Sequence, residues 1–596
     1  MNQLTLLPPE LISLILDNLP YTDLLRCERV SKQLRKIIRE SGSFQYKIEL
    51  AVNGLDDVPS NLLTTAAKRD ILHQHTRATQ IWPEELVTKQ TIPLLEGPLW
   101  ELCGGVLAQS DGRRDLDFWQ LPSNIRAIPA REWGVDVDFD IADFTLDPSQ
   151  SLLVAVEVQE PICIVHLLSS NTGQAHKEAA VKRLSFPLPA YDIPGRSYHL
   201  RICGDYVGII IRVFDQITDE PYTVFGVANW KTGESKLLTS FWGILSFAFL
   251  DPRHIIVLRG VDNDLEASPS EGQNTMVVVS VIDFMEPVLP NEVHEAPRCP
   301  VVSLNLPTVA TRWEVWHAEV VCDPAPRCSP SNVHQSYCEG ASEQDLVYPP
   351  FHITKADRIV VIRINGVDTL FEQGDAIDVF VHASSLIGLL KAHLSPHDPA
   401  SPKPSHDSSP TASPPSSPCP PSILFSPHQA WASKKRSIHV TVPTLKASSY
   451  DENKRVRWDT WGVLLTRVLP ATVPACVWCY PAYGMKFVGQ TDGYVTIYDF
   501  NPIAVRKIRC SRGTAADKAH DAEDTYWDWV EVDGGETVTT IGSHSRQFFA
   551  NTVKSGLPYR KFKTGLKMEV GQFVMLNEDS VLLVKEFSKE FKISSL

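Results

Sequence analysis

The sequence predicts a multidomain chain of two unlike parts: a small all-α trio of helices, then a mainly-β domain built as a divergent β-propeller of about six to eight blades. Three observations predict it. The first 40 residues hold short amphipathic segments separated by proline and capping residues. From about residue 96 the helical period fades, and short β-rich runs alternate with Gly, Asp, Asn and Pro. Those runs repeat two phrases at irregular spacings of about 45 to 60 residues, which suits blades of four antiparallel strands. A pair of β-sandwiches is the alternative architecture.

The helices come first. Pro8 and Pro9 suit an opening helical turn, where a missing amide proton costs nothing. The helix then carries Leu11, Ile12, Ile15, Leu16 and Leu19 at i, i+3/i+4 spacing, and Pro20 ends it. Thr22 is expected to cap a second helix presenting Leu24, Leu25 and Val30. Ser31 caps a third, whose stripe is Leu34, Ile37 and Ile38, with Lys32, Arg35, Lys36 and Arg39 on its other side. Three helices of about ten residues bury too little surface to offset the ordering of the chain. Part of the apolar face is therefore expected to bind the rest of the chain or a separate protein.

Leu7-Pro8-Pro9-Glu10-Leu11, then Ile15-Leu16, Leu19, Asp23-Leu24-Leu25 and Val30-Ser31-Lys32 with Leu34, closely resembles the F-box motif. That resemblance implies a docking trio for the Skp adaptor of a Skp–cullin–F-box ubiquitin ligase. It implies that Leu7, Pro8, Ile15, Leu16, Leu19, Leu24, Leu25, Val30 and Leu34 form and support the adaptor-binding surface, Pro8 setting the approach of the first helix. Gln33-Leu34 departs from the tryptophan that many members carry after Ser-Lys; leucine is a common alternative.

The formal charge of −15 argues against broad nucleic-acid binding. The local basicity of the first 40 residues reads as a solvated helix face. No apolar run is long enough to span a bilayer, and Glu10 and Asp17 interrupt any signal-peptide pattern. A soluble protein of the cytoplasm or nucleus is expected. The twelve scattered cysteines then read as small buried hydrophobes.

Residues 46–95 read as a helical linker around Ala66–Leu72, broken by Pro83 and Pro93. Beyond it, Phe144–Val156, Phe247–Leu258 and Arg201–Ile211 each read as strand, turn, strand, with Asp-Pro or Gly-Asp at the turn. A second phrase, a strand followed by a polar turn, covers Ile162–Gly173 and Phe225–Glu234; in Val495–Phe500 the strand follows the turn Thr491-Asp492-Gly493. Asn229–Glu234 resembles the turn of degenerate WD-type blades. Trp458-Asp459 and Trp527-Asp528 are Trp-Asp pairs without the Gly-His half of that signature. Together with Leu557–Arg560 and Met575–Asp579, the Asp-Pro-Ser-Gln phrase resembles the expanded F-box family of basidiomycete fungi. The expected partition is 1–45 F-box, 46–95 linker, 96–394 and 437–596 propeller, with a Ser/Pro-rich insertion at 395–436.

That insertion lacks the apolar side chains to fold and reads as extended chain. Its Ser-Pro steps at Ser395, Ser401, Ser409, Ser413, Ser417 and Ser426 are candidate sites for proline-directed phosphorylation; inert low-complexity sequence is the alternative.

Catalytic signals are weak. Cys322, Cys328, His334 and Cys338 are suitable zinc ligands but lack a close Cys-x-x-Cys pair, so no metal is expected. Cys476 and Cys479 have redox spacing without a thioredoxin-like setting. Asp136, Asp138 and Asp140 alternate with apolar residues and read as the wet face of a strand rather than a calcium loop. His73 and His75 read as surface decoration. No phosphate loop, nucleophile elbow or zincin pair occurs. A non-catalytic substrate-recognition subunit without a cofactor is the leading expectation. A scaffold acting without ubiquitylation and a propeller hydrolase or lyase are the alternatives. Arg201 and Arg312 are candidate readers of a phosphate mark on the target.

Overall fold

A computed structural model describes residues 7–59, 62–95, 99–188, 196–214, 221–240, 244–262, 275–286, 300–326, 349–355, 357–371, 373–394, 455–473, 481–512, 537–539, 547–585 and 590–596. Short N-terminal helices lead into seven blades, each of four antiparallel strands, so the expected six to eight resolves to seven.

Blades 1 to 4 follow the chain in order, spanning 99–136, 143–187, 196–240 and 244–305, with Arg455–Val456 adding a parallel edge to blade 4. Blade 5 joins Trp313–Val321, Ile359–Asp368, Gln373–His382 and Thr466–Pro470, and blade 6 joins Ala482–Tyr483, Lys486–Thr491, Tyr494–Asp499 and Arg560–Lys567. Blade 7 takes three strands from 572–595 and its outermost from Thr88–Pro93, paired antiparallel with Glu590–Ser595. The two ends of the propeller sequence thus share one sheet, and the ring closes.

The core lies between blades rather than within one sheet. Ile92, Leu107, Trp119, Met575 and Phe591 fill the seam of blades 7 and 1, and six further clusters fill the other seams. Strands buried on both faces explain the near-continuous apolar runs such as Leu152–Val156.

The repeated phrases are turn chemistry. The Asp147 carboxylate accepts from the Ser149 amide at 3.0 Å and from Gln150 Nε2 at 2.7 Å. Asp251 accepts from the amides of Arg253 and His254, both at 2.8 Å. Asn229 Oδ1 accepts from the amides of Lys231 and Thr232. Each side chain replaces the backbone partners that a tight turn removes. Gly173 adopts φ +68°, and a Cβ there would stand 2.6 Å from the Asp136 carbonyl oxygen.

Several expectations change. The second helix starts at Tyr21 behind Pro20, and Thr22 lies inside its first turn rather than capping it. The Asp-x-Asp strand ends at Asp136, although Val135 and Phe139 stay buried and the three aspartates exposed along the irregular chain that follows. The Trp-Asp pair Trp458-Asp459 opens a helix, Trp458–Leu465; Trp461 is its buried anchor, with Nε1 donating to the Asn305 carbonyl at 3.1 Å. The segment read as a linker contains most of a fourth helix, a fifth, and the ring-closing strand. Trp527-Asp528, the six Ser-Pro serines, Cys328, His334, Cys338, Cys476 and Cys479 lie outside the described residues. Cys322 is buried and accepts from Arg358 Nε at 2.9 Å. Among the described residues no helix is long and apolar enough to cross a membrane.

Candidate functional site

The N-terminal module is α1 (Pro9–Asp17), α2 (Tyr21–Val30) and α3 (Lys32–Glu40), completed by α4 (Gly42–Asn53). Pro9 takes the first position of α1, and Ser31 Oγ caps α3 by accepting from the Leu34 amide at 3.1 Å. Ser41 separates α3 from α4, and Gln45 Nε2 reaches back to the Ile38 carbonyl at 3.0 Å. Lys47 on α4 donates to the carbonyl of Asp17 at 2.7 Å, tying down the end of α1. A small core forms from Ile12, Leu16, Leu24, Leu34, Ile38 and, from α4, Phe44.

The nine residues assigned to the docking surface divide in two. Leu16, Leu24 and Leu34 are buried in that core, and Leu7 and Leu19 pack against it. Pro8, Ile15 and Val30 face solvent, Val30 with 63% of its surface exposed, and Leu25 is half-buried. Leu11 and Leu14, absent from the nine, are exposed to 46% and 65%. A signal for them was present. Leu11, Ile12, Leu14, Ile15 and Leu16 spread over more of the helix circumference than a single buried stripe can use.

The other side of the module is anchored to the propeller. Following α4, the chain forms α5 (Thr65–Ile81), capped by Thr64. Tyr46 and Leu50 of α4 with Leu72, Ala78 and Trp82 at α5 join the seam between blades 6 and 7. Asn501, just before helix Pro502–Arg512 in blade 6, donates from Nδ2 to the Val52 carbonyl at 2.9 Å at the end of α4. Glu49 binds Arg69 through two hydrogen bonds, of 2.6 and 2.8 Å. Lys68 is buried and donates to Asp57 at 2.8 Å and to the Val58 carbonyl at 2.9 Å.

At the centre of this junction His75 is buried, contrary to its reading as surface decoration; His73 alone is exposed. Their i, i+2 spacing puts them on different sides of α5, and one side faces the propeller. His75 Nε2 lies 2.8 Å from Asp579 Oδ1, while Arg126 Nε donates to Asp579 Oδ2 at 2.8 Å and Arg126 Nη1 to the Phe351 carbonyl at 2.9 Å. Glu578 lies 3.0 Å from the same guanidinium. Burial holds His75 below its ordinary value despite the Asp579 hydrogen bond. Burial alone would raise the Asp579 carboxyl, but Arg126 and His75 outweigh it and hold the group well below the usual carboxylate range. The arrangement is an electrostatic anchor. It joins α5, the turn after the first strand of blade 7 and the loop before the last strand of blade 1.

The candidate phosphate readers are engaged internally. Arg312 pairs with buried Asp368 and stands over the Phe371 ring, and Arg201 donates to the Leu200 carbonyl. Among the described residues no group of three or more His, Cys, Asp or Glu could hold a metal ion.

Residues 4–46 match the family model of the F-box domain. The chain carries an N-terminal F-box. F-box domains as a class bind the Skp adaptor. No curated protein matches the chain. Among solved structures it is similar to Hsv2 of Kluyveromyces lactis, at 10% identity and a TM-score of 0.20, covering 46% of this chain and 78% of that one. It is also similar to an apocarotenoid oxygenase of Synechocystis, at 9% identity and a TM-score of 0.21, covering 48% and 66%.

Proposed function

We propose that this protein is the substrate-recognition subunit of a Skp–cullin–F-box ubiquitin ligase. The observation that carries the reading is the F-box itself. Its inner face is satisfied by its own core and by the propeller, yet Leu11, Leu14, Ile15 and Val30 remain exposed. Apolar side chains left in water on so small a module suit a protein partner. The Skp adaptor would cover them, and cullin would follow through the adaptor. The target would be held by the propeller. Helices α4 and α5 cover part of the face carrying the turns between first and second strands, so the opposite face is the one offered to a target. The subunit would contribute proximity, with the chemistry of ubiquitin transfer residing in other subunits and no cofactor needed here. Its place is the cytoplasm or nucleus, and its strand phrases support kinship with the expanded F-box family of basidiomycete fungi.

The test is co-purification of the full chain with the Skp adaptor and cullin, beside a Leu11→Asp/Ile15→Asp variant. Recovery of both partners by wild type and neither by the variant supports the ligase reading. Recovery of the adaptor without cullin favours a scaffold acting without ubiquitylation, and recovery of neither overturns the proposal.

A further inference from the structure

The N-terminal helices are slightly basic on an acidic molecule. Residues 7–47 carry seven Lys and Arg against five Asp and Glu, in a chain of formal charge −15. Four of the seven cations have internal work. Arg26 pairs with Asp23 at 2.7 Å, Arg39 with Glu28 at 2.5 Å, Arg35 donates to the Glu28 carbonyl at 3.2 Å, and Lys47 holds the end of α1.

Arg29, Lys32 and Lys36 differ. All three are exposed, and among the described residues none has an ion pair. The fold gains little from two of them. Lys32 is the first residue of α3, at the helix end where the macrodipole disfavours a cation. Lys32 and Lys36 stand at i, i+4 and repel each other. Arg29 and Lys32 also flank Val30, one of the most exposed apolar residues of the module.

We infer that Arg29, Lys32 and Lys36 form a basic rim beside the apolar docking residues and meet an acidic rim on the partner protein. The inference rests on the docking reading above and adds the partner's chemistry: an apolar surface bordered by carboxylates. The rim acts on encounter. Opposite charges across an interface raise the association rate and impose a salt dependence, whereas buried apolar contacts set the dissociation rate.

The test measures association and dissociation of the full chain with immobilised Skp adaptor across a series of salt concentrations. Wild type is compared with Arg29→Glu/Lys32→Glu/Lys36→Glu and with Leu11→Asp/Ile15→Asp. The expected result is an association rate that falls about tenfold on charge reversal at low salt, loses most of its salt dependence and leaves dissociation nearly unchanged. The neutral variant Arg29→Gln/Lys32→Gln/Lys36→Gln should fall between and guards against loss of helix structure on reversal. Wild-type binding whose rate and salt slope are indifferent to both charge variants overturns this inference alone. Failure of wild type to bind overturns the docking reading and the rim together.

Discussion

His75, Asp579 and Arg126 bring together positions 504 and 453 residues apart in sequence, and all three are buried. Removing Asp579 leaves Arg126 with Glu578 as its remaining carboxylate partner and takes away the acceptor of His75 Nε2. Asp579→Ala is therefore predicted to cost about 1–3 kcal/mol, read as a fall in the denaturant midpoint. The cluster also gives stability a pH dependence. Burial in the folded chain holds His75 below its ordinary value, while the unfolded chain takes up a proton near about pH 6.5. The unfolded state therefore binds more protons as pH falls through that value, and stability declines with it. The depressed Asp579 carboxyl adds its own loss only below about pH 4, where the unfolded carboxyl protonates. The predicted outcome is a lower unfolding midpoint at about pH 5 than at about pH 7.5, with a shallower slope in His75→Gln. None of this was legible in the sequence. A His-Gln-His triplet shows only that its two rings face different ways, and the acidic partner lies at the far end of the chain.

Individual elements were more readable, because their signals are local. Pro9, Ser31 and the stripe through Ile12, Leu16, Leu34 and Ile38 mark two of the three F-box helices correctly. The start of α2 differs from the Thr22 cap that the sequence suggests, because Pro20 occupies the N-cap position and Thr22 lies inside the first turn. The strand phrases survive because Asp147, Asp251 and Asn229 fix their turns by side-chain hydrogen bonds, which a sequence displays. Which face of α1 is buried did not survive as well, since five apolar residues in six positions leave the choice to tertiary packing. The structure makes the choice testable. Leu16→Ala opens a cavity in the F-box core and is predicted to destabilise it by about 2–5 kcal/mol. Leu14 is exposed and lies outside the F-box core, so the effect of Leu14→Asp on stability should stay within about 0.5 kcal/mol while adaptor binding is lost. Thermal unfolding and pull-down on the same two variants separate the roles.

At the scale of the whole molecule, the strand Thr88–Pro93 connects both parts. It follows the α5 segment of the F-box arm and pairs with Glu590–Ser595 to close the ring. Closure and arm placement therefore share residues, and Ile92 sits buried in the seam of blades 7 and 1. Ile92→Asp places an unpaired carboxylate in that seam. The predicted result is a lower unfolding midpoint, with amide protection lost first in residues 572–595. Blade number could not be counted from the sequence, because blade 7 draws its strands from both ends and blades 5 and 6 are interrupted by helices and long insertions. Hydrogen–deuterium exchange of the full chain with and without the Skp adaptor decides whether the N-terminal helices are the docking surface. The expected result is new protection concentrated in residues 9–38 and little change across the seven blades. Unchanged exchange in residues 9–38, or protection falling mainly on the blades, would contradict it.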